Sequence, residues 1–378
     1  MAASICRKLW SAVVPFTCQV LLPPYNRHMQ RLASVLNKTH RYRQPKTLTV
    51  AGTTGISYAL FGFLFDKKEE TDPLTQLYRD ARLAHMRQEL KKADSLYHDA
   101  LKLADDLVQT KKITEAKFLT ARTLFYDGLA DIAMQTGEIE TAETLYKETM
   151  RGCLMQGMDQ NHNAMVEMSL KLASIYAMKG QKLEAEEGYK FCLSAQVPKL
   201  EATDKLLKAT DAKKVNQIPG LIPATEMEQS EKDTAALLGM VLTSYGRFLL
   251  YEKRYTEALP LFEKARFFAE HTLGTDTNQY LVVLNDIATL YIVTKNLDKA
   301  EEVLKTGIKL SDKHKLQEKA MLFCNLGAVY LRKGDISSAV TQCQLGLQSA
   351  KEFDHKMAFK MAEACLKKGE SVLAAKSK

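Results

Sequence analysis

Leu326–Cys343 reads LGAVYLRKGDISSAVTQC, and the same outline returns as LASIYAMKGQKLEAEEGY at Leu172–Tyr189 and as IATLYIVTKNLDKAEEVL at Ile287–Leu304. Each copy has a small residue, a tyrosine three later, a turn, and an alanine five beyond the turn. Aligning the chain on that alanine gives six positions: Ala93, Ala142, Ala185, Ala258, Ala300 and Ala339. Twelve residues earlier, at positions that played no part in the alignment, stand Ala81, Ala130, Ala173, Gly246, Ala288 and Gly327. Four residues after the alanines come Tyr97, Tyr146, Tyr189, Phe262, Leu304 and Cys343. The turn position holds Gly137, Gly180 and Gly334 in three copies and Gln88, Lys253 and Lys295 in the others. Between Pro73 and Pro198 there is no proline, and apolar residues recur at three and four, the helical spacing.

This is the tetratricopeptide pattern of paired helices. Small residues let the two helices of a pair approach closely, and the large residues fill the gap between successive pairs. One pair cannot bury its own apolar face, so neighbours must stack. The fold expected is all-α, a superhelix of about six helix pairs with an N-terminal transmembrane helix and a C-terminal capping helix. Repeats 1–3 occupy 74–194 and repeats 4–6 occupy 234–355. The alanines are 49, 43, 73, 42 and 39 residues apart, and the long interval marks an insertion at 195–233 containing Pro198, Pro219, Gly220 and Pro223. Residues 356–375 read as a Lys-rich amphipathic helix closing the last repeat.

The charge is unevenly placed. The chain of 378 residues carries 53 Lys and Arg against 45 Asp and Glu, but residues 1–65 hold eight cations and no acid. The remainder is balanced, which removes the composition argument for nucleic-acid binding. Residues 1–46, basic and hydroxyl-bearing, have the composition of a mitochondrial targeting leader. Thr47–Phe65, TLTVAGTTGISYALFGFLF, is uncharged and as a helix would be roughly 28 Å long, close to a hydrocarbon core. It is read as a single membrane span contacting inner-membrane lipid. The basic flank places the N-terminal side in the more negative compartment, with the repeats facing the intermembrane space.

No phosphate loop, dinucleotide-binding glycine pattern, metalloprotease motif or nucleophile elbow occurs. The reading is of a non-enzyme with no cofactor, no metal and no small-molecule substrate. The seven Cys are too far apart for a zinc pattern and do not form a disulfide framework; Cys324 and Cys343 are expected as buried thiols. His98 reads as structural or solvated. The first helix of each pair is expected to line a concave groove, with Asp127, Asp131, Glu167, Arg247, Asn285 and Arg332 at its exposed positions. Polar groups there bond a partner's backbone. Met134, Met178 and Tyr251 lie on the same face. Asp127 and Asp131, one turn apart, resemble a catalytic carboxylate pair only in spacing.

SLKLASIYA at Ser169–Ala177 followed by GYKFC at Gly188–Cys192, with LYHDALKLA at Leu96–Ala104, LLGM at Leu237–Met240 and the segment Arg247–Leu250, resembles the mitochondrial tetratricopeptide repeat protein 19 family. The likeness covers most of residues 74–350. It departs in the insertion between Lys199 and Gln229, and the leader matches in composition only. The resemblance implies an inner-membrane protein that associates with respiratory complex III, the cytochrome bc1 complex. It also implies support of that complex's assembly and upkeep, with clearance of fragments of its Rieske iron–sulfur subunit. Two other roles fit helical repeats alone: an outer-membrane import receptor and a kinesin-light-chain-like cargo scaffold.

Overall fold

The computed structural model describes residues 72–199, 229–314, 316 and 318–376, and there the chain is helical. Six helix pairs follow one another: α1 (Pro73–Met86) and α2 (Leu90–Gln109), α3 (Glu115–Thr136) and α4 (Ile139–Met155), α5 (Asn163–Met178) and α6 (Lys182–Gln196), then α7 (Gln229–Tyr251) and α8 (Tyr255–Phe268), α9 (Asn278–Val293) and α10 (Leu297–His314), α11 (Lys319–Lys333) and α12 (Ile336–Glu352). A thirteenth helix, α13 (Lys356–Lys376), follows the last pair. The chain divides into two compact units, one ending at Ala195 and the other beginning at Gln196. Among the described residues no helix is long and apolar enough to cross a membrane. The expected leader and span, 1–46 and 47–65, and the centre of the insertion lie outside the described residues.

The turn inside each pair is the same structure six times. Gln88, Gly137, Gly180, Lys253, Lys295 and Gly334 all have positive φ, between 60° and 85°. The next residue's N–H then reaches back to the carbonyl five residues earlier: Glu89 to Ala84, Glu138 to Ala133, Gln181 to Tyr176, Arg254 to Leu249, Asn296 to Tyr291 and Asp335 to Tyr330, at 2.8–3.0 Å. This is the left-handed helix cap, which satisfies carbonyls the first helix would otherwise leave open. Glycine adopts that conformation freely, whereas glutamine and lysine hold it at a cost of roughly 1 kcal/mol or more. Several helices also start on a side-chain cap. Thr114 Oγ1 accepts from Lys117 N, Thr277 Oγ1 from Tyr280 N and Asp335 Oδ1 from Ser338 N, at 3.0–3.3 Å.

Packing inside each pair rests on the small residues. The six aligned alanines are fully buried, as are Tyr97, Tyr146, Tyr189, Phe262, Leu304 and Cys343. A Cβ placed on Gly246 would meet the Phe262 ring of the same pair 2.6 Å away, and, between the first two pairs, one on Gly128 would overlap the Tyr97 ring. In the first unit Tyr78, Tyr97 and Phe125 form a trio with ring centroids 6.2–6.4 Å apart, each pair tilted as aromatic quadrupoles prefer. In the second, Leu281, Leu284, Leu304, Leu322 and Leu326 make the seam between α9, α10 and α11.

Cys343 departs from the expectation of a buried thiol. It is bonded to Cys365 of α13, 22 positions on, with the two Cα atoms 6.1 Å apart. Cys324 does remain a buried thiol, and its Sγ–H donates to the Ala358 carbonyl of α13 at 3.4 Å. Burial in apolar surroundings pushes that thiol up to about 12. Ala320, Cys324, Ala350, Ala358 and Ala362 form the small-residue seam that seats α13.

Candidate functional site

The first helices α1, α3 and α5 of the N-terminal unit bring five charged side chains together. Lys171 Nζ donates to Asp131 Oδ1 at 2.7 Å and stands 3.0 Å from Glu167 Oε1. Tyr146 OH donates to the same Asp131 oxygen at 2.5 Å. The Lys171 ammonium also lies 5.2 Å from the centre of the Tyr146 ring, a cation–π contact. Asp127 and Arg82 complete the group through their electrostatic interaction with it. Close by, Gln135 Nε2 and His85 Nε2 are 2.7 Å apart.

These groups are inside the protein. Asp127, Glu167 and Lys171 are each 4% exposed and Asp131 is 2% exposed. The expectation that Asp127, Asp131 and Glu167 stand on an exposed groove wall is therefore corrected: they belong to a buried ionic network. The physical reason is that a charge can be taken out of water only when an opposite charge and hydrogen bonds replace the lost hydration. Lys171, which the repeat pattern did not single out, supplies that charge.

Electrostatics follow from three carboxylates sharing two cations. Burial pushes Asp127 up to about 7, against the pull of Lys171 and with Asp131 and Glu167 adding to the rise. Glu167 is raised for the same reason. For Lys171 burial opposes the charge, but Asp131 and Glu167 outweigh it and hold the ammonium charged. His85 is lowered by burial, with Arg82 adding to the fall and Asp131 opposing it. Nothing in this arrangement presents a nucleophile with a base. Among the described residues there is no cluster of three or more His, Cys, Asp or Glu able to hold a metal.

The other expected residues, in the C-terminal unit, keep contact with solvent. Arg247 of α7 is half-buried and grips the buried Asp286 of α9 with Nε 3.0 and 2.9 Å from the two carboxylate oxygens. Burial raises Asp286 and Arg247 opposes that rise. Asn285 of α9 is half-buried and accepts from Asn325 Nδ2 of α11 at 2.7 Å. Arg332, at the end of α11, is exposed. Tyr251, at the end of α7, is 64% exposed. These polar links run from one first helix to the next.

A cavity of about 420 Å³ opens between α2, α3 and α4 of the N-terminal unit. Leu101, Leu129, Ile132 and Leu145 form its apolar floor, and His98 and Asp94 stand at its side. His98 Nε2 is 3.9 Å from Asp94 Oδ2, an arrangement with no reactive partner.

Comparison with known proteins places this fold in a family. Residues 234–313 match the tetratricopeptide repeat model. Human mitochondrial tetratricopeptide repeat protein 19 is 33% identical over 278 residues, spanning 74% of this chain and 67% of the human one. The mouse protein of the same name is 32% identical, over 75% of this chain and 72% of its own. The chain belongs to the tetratricopeptide repeat protein 19 family.

A solved structure of a Rap protein complexed with competence and sporulation factor has the same architecture. It covers 85% of this chain and 80% of its own, with a TM-score of 0.51 and 15% identity, a likeness of fold alone. Ser169–Ala177, among the stretches that carry the family resemblance, contains Lys171. One signal for that residue was present in the sequence. Asp131 and Lys171 are 40 residues apart, close to one repeat interval, so opposite charges stand at nearly equivalent heights on successive first helices.

Proposed function

We propose that this chain is a membrane-tethered mitochondrial adaptor whose helical repeats bind respiratory complex III and support its assembly and maintenance, including clearance of Rieske subunit fragments. The single observation that carries this reading is membership of a family whose relatives are described as mitochondrial tetratricopeptide repeat proteins. The basic leader and the uncharged stretch 47–65 support a tether in the inner membrane, with the repeats on the intermembrane side. Tethering raises the effective concentration beside a membrane complex, so a modest affinity suffices.

The contact wall is narrowed to the C-terminal unit. Arg247, Asn285 and Arg332 lie on the first helices α7, α9 and α11 and retain solvent access, whereas Asp127, Asp131 and Glu167 do not. Asn325, linked to Asn285, joins that wall as a group able to pair with a partner's backbone amide.

The test is capture of the full chain from mildly solubilised mitochondria. Recovery of cytochrome bc1 subunits, the Rieske protein included, is expected. A combined Asn285→Ala and Arg332→Glu variant of unchanged thermal stability should lose that recovery. Capture without complex III subunits overturns the reading. Carbonate extraction of the mature chain overturns the tether.

A further inference from the structure

The sixth repeat fills its core differently from the others. At the position where repeats 1 to 4 carry Tyr97, Tyr146, Tyr189 and Phe262, it carries Cys343. In the fourth pair the space above Gly246 is occupied by the Phe262 ring, 2.6 Å from where a Cβ would sit. In the sixth, the equivalent glycine is Gly327. The space above it holds two sulfurs, Cys343 Sγ at 2.3 Å and Cys365 Sγ at 3.2 Å from the same point. A cysteine alone is smaller than a phenyl ring. The second sulfur, brought in by α13, makes up volume that an aromatic side chain supplies elsewhere. The bond therefore does two jobs: it completes the last repeat's core and fixes the closing helix to it.

We propose that Cys343 and Cys365 are an oxidative maturation site, at which a disulfide made after α13 docks locks the closing helix onto the sixth repeat in an oxidising compartment. The proposal rests on the adaptor reading for the compartment only, the intermembrane side. Structural disulfides persist where a thiol-oxidising system operates and are rare where thiols are kept reduced. The geometry also gives an order of events. Cys343 is fully buried and Cys365 only half-buried. The Cys365 thiolate thus meets the oxidant first, attacking the disulfide of a dithiol–disulfide exchange protein to form a mixed disulfide and release one carrier thiolate. The Cys343 thiolate then attacks Cys365 Sγ and displaces the second carrier thiolate. Two thiols lose two protons and two electrons, and the carrier disulfide takes up both electrons as a dithiol.

Docking before oxidation is supported by contacts that do not need the bond. Ala358 and Ala362 of α13 are fully buried against Cys324 and Ala350, and the Cys324 thiol donates to the Ala358 carbonyl. These bring Cys365 to Cys343 and leave the third cysteine of the neighbourhood hydrogen-bonded away from exchange. A terminal helix with a polar outer face is what a repeat stack needs to stay soluble, so the latch protects the end of the array.

The experiment uses the full chain expressed in cells whose thiols are trapped by acid quenching. Cysteines are tagged with a mass-shifting maleimide under denaturing conditions, with and without prior reduction. Two additional tags after reduction are expected, together with a linked peptide pair containing Cys343 and Cys365 by mass spectrometry. A Cys343→Ala, Cys365→Ala variant should show no increment on reduction. The oxidised wild-type protein should melt roughly 5–10 °C above its reduced form. Full tagging of both cysteines without reductant overturns the proposal, as does an increment that maps to other cysteines. Because the thiols are trapped in whole cells, the cysteine state is read wherever the chain resides, and fractionation of the same cells reads the compartment separately. A chain that is oxidised but fractionates away from mitochondria refutes the adaptor reading and leaves the pair standing.

Discussion

Lys171 Nζ stands 2.7 Å from Asp131 Oδ1, joining the first helices of two successive repeats across 40 positions of sequence. Both side chains are almost wholly out of water, and so is Glu167 beside them. The value of such a link lies less in its net attraction than in the penalty for breaking one side of it.

Replacing the lysine is accordingly expected to be costly. Lys171→Met strands Asp131 and Glu167 as buried carboxylates and should destabilise the N-terminal unit by about 3–5 kcal/mol. Combining it with Asp131→Asn should recover part of the loss, since less charge is left unpaired. Urea unfolding followed by far-ultraviolet circular dichroism measures both. A loss below about 1 kcal/mol for the single variant would remove the network from the account of stability.

Asp127 carries the opposite expectation. Its carboxyl is held at about 7 in the fold by burial, against about 3.9 for an unfolded aspartate. Below pH 4 both states bind the proton and nothing is lost. Between about pH 4 and 7 the unfolded chain sheds its proton while the folded one keeps it, so stability declines as pH rises through that window and levels off above it. Asp127→Asn should flatten the decline and leave the protein more stable at pH 8, on the order of 2–4 kcal/mol. Unfolding curves at several pH values decide this; a wild-type stability that climbs from pH 5 to 7 with a slope removed by Asp127→Asn would contradict the sign.

The six left-handed turns separate into three that are glycine and three that are not. Lys295 holds φ at 63°, so Lys295→Gly should stabilise by roughly 0.5–1 kcal/mol, and Gly334→Ala should destabilise by about 1 kcal/mol. The open surroundings of Gly334 leave backbone conformation as the cause. Thermal midpoints moving in opposite directions are the expected outcome, and a stabilising Gly334→Ala would refute the turn geometry.

Gly128 is small for a different reason, because its missing side chain is replaced by the Tyr97 ring. Gly128→Ala should cost about 1–3 kcal/mol through overpacking. Pairing it with Tyr97→Leu should cost less than the sum of the two single changes, a coupling that a double-mutant cycle reads directly.

The repeat register was legible because it depends on features written into each copy: a small residue, a turn and an alanine at fixed spacing. All six turn positions, including the three without glycine, adopt the same backbone. Side-chain burial was less legible. Helical periodicity says which face of α3 carries Asp127 and Asp131, but not that this face is closed; that depends on partners such as Lys171 and Tyr146 from other helices. The cysteine bond was invisible for a related reason. Its two residues follow no spacing rule, and only the docking of α13 makes them neighbours.

The uniform hairpin inside every pair has a bearing on protein engineering. Since each hairpin closes on one fixed cap, variation in length falls on the joints between pairs, from the four positions between His314 and Lys319 to the nine between Phe268 and Asn278. A fluorescent reporter or affinity epitope spliced beside Asp159–Asn161, one of those joints, should leave the array intact, whereas the same cargo placed at Gly137 should wreck it.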